Sequence, residues 1–249
     1  ETAIIVMIET QVETARRLPL LKERHLSDDC RNEIKELLKD TYGYEQFRNL
    51  EIYDDLFKNK ETLYISQGQL IENVIREVEK AQNGETTVDN ILLTAPTGSG
   101  KSLLFQLPAI YLGNEYNLLT IVVSPLKALI VDQVESLQDI GYKRVAYASS
   151  DLSPEQKADV YRQVHDGEID LFYLSPELLL SYDIKHFVGE RRIGLVVVDE
   201  AHTVTTWGKE FRVDYWFLGR YLNLLKQNLG YNFPLFALTA TAVWNPKGG

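Results

Sequence analysis

The 249 residues are 45% hydrophobic and 25% charged, with a net charge of -10 and a single cysteine, Cys30. This composition supplies a sizeable core and excludes disordered, collagen-like and disulfide-stapled classes, and one thiol permits neither an intrachain disulfide nor a multi-cysteine zinc site. The acidic balance argues against a protein that coats nucleic acid generally, since phosphate binding relies on Lys and Arg. Apolar runs such as Ile4 to Ile8 fall far short of the roughly 20 residues that cross a bilayer, and that run lacks the basic flank and small-residue site of a signal peptide.

Residues 1–60 read as a small, mostly helical N-terminal segment of unknown role. Ser27, Asp28 and Asp29 offer N-caps for a helix from about Asp29 to Lys39, and Gly43 ends it. From Leu63 onward, strand-like apolar runs at Ile91 to Thr94, Leu119 to Ser124, Leu171 to Leu174, Leu195 to Val198 and Leu235 to Leu238 are separated by helix-like stretches. The latter, Lys101 to Leu112, Leu126 to Gln138, Pro154 to Val164 and Tyr215 to Asn228, are long enough to cross from one strand to the next. Continuous apolar strands joined by helices predict an α/β domain over 61–249, a parallel sheet covered by helices on both faces. A first residue other than Met and an end at Gly248-Gly249, just after a strand-like run, read as an excerpt of a longer protein.

The most informative segment runs Ile91-Leu-Leu-Thr-Ala-Pro-Thr97-Gly98-Ser99-Gly100-Lys101-Ser102. A strand, a glycine-bearing loop and a Lys-Ser pair opening a helix form the context of a phosphate-binding loop. Gly98 and Gly100 let backbone N–H groups turn inward around the β- and γ-phosphates at the positive end of the helix, with Thr97 and Ser99 in the same loop. Lys101 supplies a point charge and the Ser102 hydroxyl a ligand for Mg²⁺, so the expected cofactors are ATP and Mg²⁺. Ala95 stands where the commonest form of the motif has its first glycine. Further on, Leu195-Val-Val-Val-Asp199-Glu200-Ala-His202 ends an apolar strand in two adjacent carboxylates. Asp199 is expected to hold Mg²⁺ and Glu200 to orient and deprotonate the attacking water.

With Asp199-Glu-Ala-His202 and Leu238-Thr-Ala-Thr-Ala242, the chain resembles the superfamily 2 helicases, and more specifically the RecQ family. The resemblance covers about residues 90–244, and Ser149-Ser-Asp-Leu-Ser-Pro-Glu-Gln-Lys157 and Gly167 to Glu177 contribute to it. It implies a RecA-like first lobe, activity as an ATP-dependent DNA helicase moving 3′ to 5′, single-stranded or forked DNA as partner, and a second RecA-like lobe supplied elsewhere. It also implies a location at the bacterial nucleoid or in the eukaryotic nucleus, and roles in DNA repair and recombination. Ser124-Pro125-Leu126-Lys127, with Asp132-Gln133, matches the family's strand-contacting motif, and Ser175-Pro176-Glu177 a comparable turn. Trp207, Phe211 and Arg212 fall in a run similar to its aromatic-rich loop, where rings stack on unpaired bases. His202, with Thr239 and Thr241, would couple lobe movement to hydrolysis. The adenine-reading motif is split here: Tyr42 to Arg48 resembles its first half, and Gln67-Gly68-Gln69 supplies the glutamine, with Gln69 the candidate reader. Thr206, Lys209, Glu210 and Val213 depart from the family's usual aromatic loop.

The residues leave two other readings open. One is a DNA or RNA translocase that does not separate strands, and the other a non-catalytic nucleotide-binding module.

Overall fold

A computed structural model describes residues 30–53, 62–85, 87–95, 98–201 and 213–239. The elements run α1 (Asn32–Tyr42), β1 (Asn49–Tyr53), β2 (Thr62–Ser66), α2 (Gln67–Gln82), β3 (Ile91–Thr94), α3 (Leu103–Tyr116), β4 (Leu119–Val123), α4 (Lys127–Asp139) and β5 (Val145–Ala148). They continue with α5 (Pro154–His165), β6 (Leu171–Leu174), α6 (Pro176–Ser181), α7 (Ile184–Val188), β7 (Ile193–Val198), α8 (Val213–Leu229) and β8 (Leu235–Thr239).

Six strands form one parallel sheet in the order β3-β8-β7-β4-β6-β5. The fold is therefore α/β, as the alternation of apolar runs and helices predicts, and it has the parallel-sheet form of the RecA-like lobe that the resemblance implies. Side chains split by strand period between two cores. Leu171 and Tyr173 of β6, Leu195 and Val197 of β7, and Phe236 and Leu238 of β8 face α1 to α4. Phe172 and Leu174, Val196 and Val198, and Leu235 face the layer of α5, α6, α7 and α8. With both faces covered, every residue of β4, β6 and β7 is buried, which is why these strands read as unbroken apolar runs. α3 buries ten of its residues, Leu104 to Gly113, and accordingly has apolar side chains all round rather than a stripe.

The structure adds a sixth strand to the parallel sheet, β5, and an antiparallel hairpin, β1–β2, to the strands anticipated from sequence. The Ser-Pro-Glu-Gln run proves to be a capping box opening α5: Ser153 Oγ accepts from Gln156 N at 3.2 Å, and Ser153 N donates to Gln156 Oε1 at 2.8 Å.

Two polar clusters fix the layers. Arg31, just ahead of α1, donates to Glu72 (2.8 Å) and Glu79 (2.7 Å) of α2 and to Tyr111 Oη (2.9 Å) of α3. Those bonds hold Glu79 and Glu72 below the usual carboxylate range, Glu72 against a strong opposing effect of burial. At the amino-terminal edge of the sheet, fully buried Asp170 accepts from Arg144 Nη2 (2.7 Å) and Tyr142 Oη (3.2 Å). Any Cβ at residue 113 would collide with Asp170, so Gly113 of α3 allows this close approach. No helix of the described residues is long and apolar enough to cross a membrane.

Candidate nucleotide and strand site

Parallel strands deliver their carboxyl ends to one edge of the sheet, where open α/β folds place their ligands. At that edge, Ala95 N donates to Thr239 O at 3.0 Å, Asp199 N to Val123 O at 2.9 Å and Ala201 N to Leu238 O at 2.8 Å. The loops after β3 and β7 are thus stitched to β8 and β4, so the phosphate loop and the acidic pair share one rigid frame.

Gly98 and Gly100 both sit at φ 80°, the left-handed conformation that only glycine adopts without cost. A Cβ at Gly100 would lie 2.7 Å from Gln67 Nε2 and would displace the end of that side chain, so conformation sets the glycine and the Gln67 contact lies directly over it. The loop runs into α3 through Ser102, whose side chain makes no capping bond to the helix. Ser99 Oγ is buried without a hydrogen-bond partner. Lys101 Nζ reaches back across the loop to Ala95 O at 3.0 Å. Left-handed glycines, a helix N-terminus, an unpartnered buried hydroxyl and a lysine folded over the loop suit a polyphosphate.

Asp199 is 5% exposed. Its Oδ1 accepts from Glu200 N at 2.9 Å, and Gln133 Nε2 lies 3.4 Å from its Oδ2. Burial, then the adjacent charge of Glu200, pushes its carboxyl above the usual aspartate range, against those two hydrogen bonds and Lys101. A carboxylate so short of positive charge fits a divalent cation, and Ser102 and Asp199 are the residues that would hold Mg²⁺. Glu200 has φ 50°. Such a conformation in a non-glycine residue stores about 1–3 kcal/mol and concentrates at functional sites.

The structure also reunites the split motif. β1 and β2 form a hairpin that returns Gln67 to Arg48: Gln67 N donates to Arg48 O at 2.9 Å, and Gln67 Oε1 accepts from Arg48 N at 3.1 Å. Gln67 Nε2 then donates to Ser99 O in the phosphate loop at 3.3 Å. Gln69, the candidate from sequence, is buried at the start of α2 with its Oε1 unpartnered. Sequence reasoning passed over Gln67; its place at the N-terminus of a helix leading to the loop was the available signal. It likewise passed over Gln133 as an Asp199 partner, having set it among the strand-contacting residues.

Of the strand-contacting candidates, Pro125, Lys127 and Ser175 lie together. Pro125, Leu126, Lys127, Ser175 and Glu177 line one cleft of about 460 Å³ where the loops after β4 and β6 meet. Ser175 Oγ caps α6, accepting from Leu178 N at 3.3 Å. α4 begins at this cleft with Lys127 and carries Gln133 to Asp199, so one helix touches both the cleft and the acidic pair. Thr97, His202, Trp207, Phe211, Arg212 and Thr241 lie outside the described residues. Among the described residues, no group of three or more His, Cys, Asp or Glu could hold a metal ion.

A family model, the DEAD/DEAH box helicases, matches residues 72–247. The chain is 35% identical over 217 residues to an ATP-dependent DNA helicase RecQ of Synechocystis, a match covering 85% of this chain and 38% of that protein. It is 38% identical over 165 residues to the probable ATP-dependent DNA helicase RecS of Bacillus subtilis, covering 66% and 30%. A third relative, the ATP-dependent helicase SGS1 of Saccharomyces cerevisiae, is 35% identical over 168 residues, covering 66% and 11%. The chain thus spans well under half the length of these relatives. Among solved structures, the DUF1998 helicase MrfA superposes with a TM-score of 0.57 at 22% identity, over 88% of this chain and 30% of that one. The fold is shared at that distance.

Proposed function

The chain belongs to the DEAD/DEAH box helicase family, and from that premise we propose that residues 61–249 are the first RecA-like, ATP-binding lobe of a RecQ-like DNA helicase. The observation that carries this reading is the shared frame at the sheet edge, with Gly98 to Ser102 and Asp199-Glu200 on one side and the Pro125–Ser175 cleft on the other, joined by α4. The identities of 35% and 38% to RecQ and RecS support the choice of DNA among nucleic acids.

In this reading the phosphates of ATP lie in the Gly98–Gly100 turn, on the backbone amides that open α3. Lys101 leaves Ala95 O and moves its charge to the β- and γ-phosphates. Mg²⁺, held by Ser102 and Asp199, neutralises phosphate charge when bound. Glu200 accepts the proton of the attacking water. Gln69, with Gln67 beside it, reads the adenine. His202 and the Thr239–Thr241 stretch relay closure of a second RecA-like lobe. A single strand crosses Pro125, Lys127 and Ser175, with Trp207 and Phe211 stacked on its bases and Arg212 on a phosphate.

Strand separation tests this directly. The full-length protein is expected to unwind a forked duplex with a 3′ single-stranded arm in the presence of Mg-ATP, and Trp207→Ala to lose most of that unwinding. ATP-driven movement without strand separation would replace the helicase with a translocase.

A further inference from the structure

The cleft after β4 and β6 contains an ion pair that the cycle above does not use. Lys127, the first residue of α4, donates to Asp151 Oδ1 at 2.9 Å and also to Ser150 Oγ. Asp151 belongs to the turn after β5, so two successive crossovers are clipped together by this contact. Asp151 is itself held in place. Its backbone N–H donates to Ser149 Oγ at 3.3 Å, on a serine that is buried, and its Oδ1 accepts from Ser150 Oγ at 3.3 Å. The hydrogen bond from Lys127, and then its charge, keeps the Asp151 carboxyl below the ordinary aspartate range.

Lys127 is the one cation among the described residues that line the cleft, and Glu177 adds a negative charge to the same lining. With Asp151 on Lys127, the described residues of the cleft present no net positive charge to a phosphate backbone. That is the reverse of what strand binding by counterion release needs. The lysine and aspartate side chains are 46% and 71% exposed, so solvent screens the pair and the two groups can part readily. A strand phosphate and the Asp151 carboxylate therefore compete for one ammonium group.

We propose that Asp151 is an internal competitor for the phosphate site at Lys127, a carboxylate that an incoming single strand displaces and that weakens the grip of the first lobe on the strand. This rests on the strand-tracking role assigned to the cleft. A lobe that must release and regrip a strand in each cycle gains from a competitor that makes release easy, and Asp151 supplies it without an additional partner.

The test is binding of a fluorescent oligo-dT by the full-length protein, read by anisotropy across a salt series. Asp151→Asn is expected to bind about three- to fivefold tighter at low salt, the scale of one exposed ion pair. Its salt dependence should steepen by about 0.7 in log–log slope, because in the wild type the freed Asp151 carboxylate takes up a cation that offsets the one released from the strand. Asp151→Ser should give the same gain. In a Lys127→Ala background the gain should vanish, because the competitor then has nothing to compete for. A gain of equal size in that background would make Asp151 a contributor to the general field and overturn the proposal, as would unchanged binding by both Asp151 variants. If the wild-type protein binds no oligonucleotide, the strand-tracking role falls and this proposal with it; if it binds while the Asp151 variants match it, only this proposal falls.

Discussion

Glu200→Gln is expected to lower ATP turnover of the full-length protein by about 10²- to 10⁴-fold, the range a positioned general base contributes, while ATP binding survives. The physical reason lies in the turn after β7. Glu200 at φ 50° folds its own N–H back onto Asp199 Oδ1 at 2.9 Å, so the pair is held together independently of the Glu200 side chain's charge. Glutamine has the same shape and leaves that backbone bond in place, but it cannot take a proton from water. Single-turnover hydrolysis measured beside equilibrium ATP binding separates the two effects. Turnover near wild type would remove Glu200 from the role of base.

Asp199→Asn is expected to abolish Mg-dependent hydrolysis, with a loss of about 10²-fold or more, and at the same time to raise the stability of the nucleotide-free protein. Burial and the adjacent Glu200 charge push the Asp199 carboxyl upward, so its charged form costs the native state more than the unfolded chain. With the carboxyl raised, its contribution to stability is full below the ordinary aspartate range and is lost as pH climbs through the native value. At neutral pH the penalty is present, and asparagine relieves it. Asparagine Oδ1 can still accept from Glu200 N. Gln133, whose Oε1 is buried without a partner, can turn its amide to accept from the new Nδ2–H. Thermal denaturation without Mg²⁺ should show the variant melting above wild type at pH 7 and converging with it as the pH falls below the ordinary aspartate range. A lower melting temperature at pH 7 would mean that Asp199 is structurally paired and not held ready for a cation.

Much of this was legible in the chain itself, for identifiable reasons. β6 falls on the predicted residues because a strand buried on both faces leaves an unbroken apolar run. The phosphate loop was legible because glycines at φ 80° and a Lys-Ser pair at a helix start leave an identity signature as well as a pattern. β5 was missed because Val145 to Ala148 carries two alanines and a part-exposed Tyr147 in place of the bulky aliphatic run that marks the other strands. The β1–β2 hairpin was missed because its meaning is positional: it returns Gln67 to Arg48 and so closes a motif that looks broken in one dimension. The Lys127–Asp151 and Gln133–Asp199 contacts join different crossovers. Long-range pairs of this kind leave no local pattern, so spacing could assign Lys127 and Gln133 to a strand-contacting motif but could not show that one is neutralised and the other reaches the acidic pair.

In the proposed reading that second contact links strand to nucleotide, because α4 starts in the cleft and Gln133 on the same helix reaches Asp199. Steady-state ATP hydrolysis by the full-length protein, with and without saturating single-stranded DNA, tests that link most directly. Strong stimulation by the strand, absent in Lys101→Ala, is the predicted result; hydrolysis that proceeds at the same rate with and without DNA would contradict a motor built on this sheet edge.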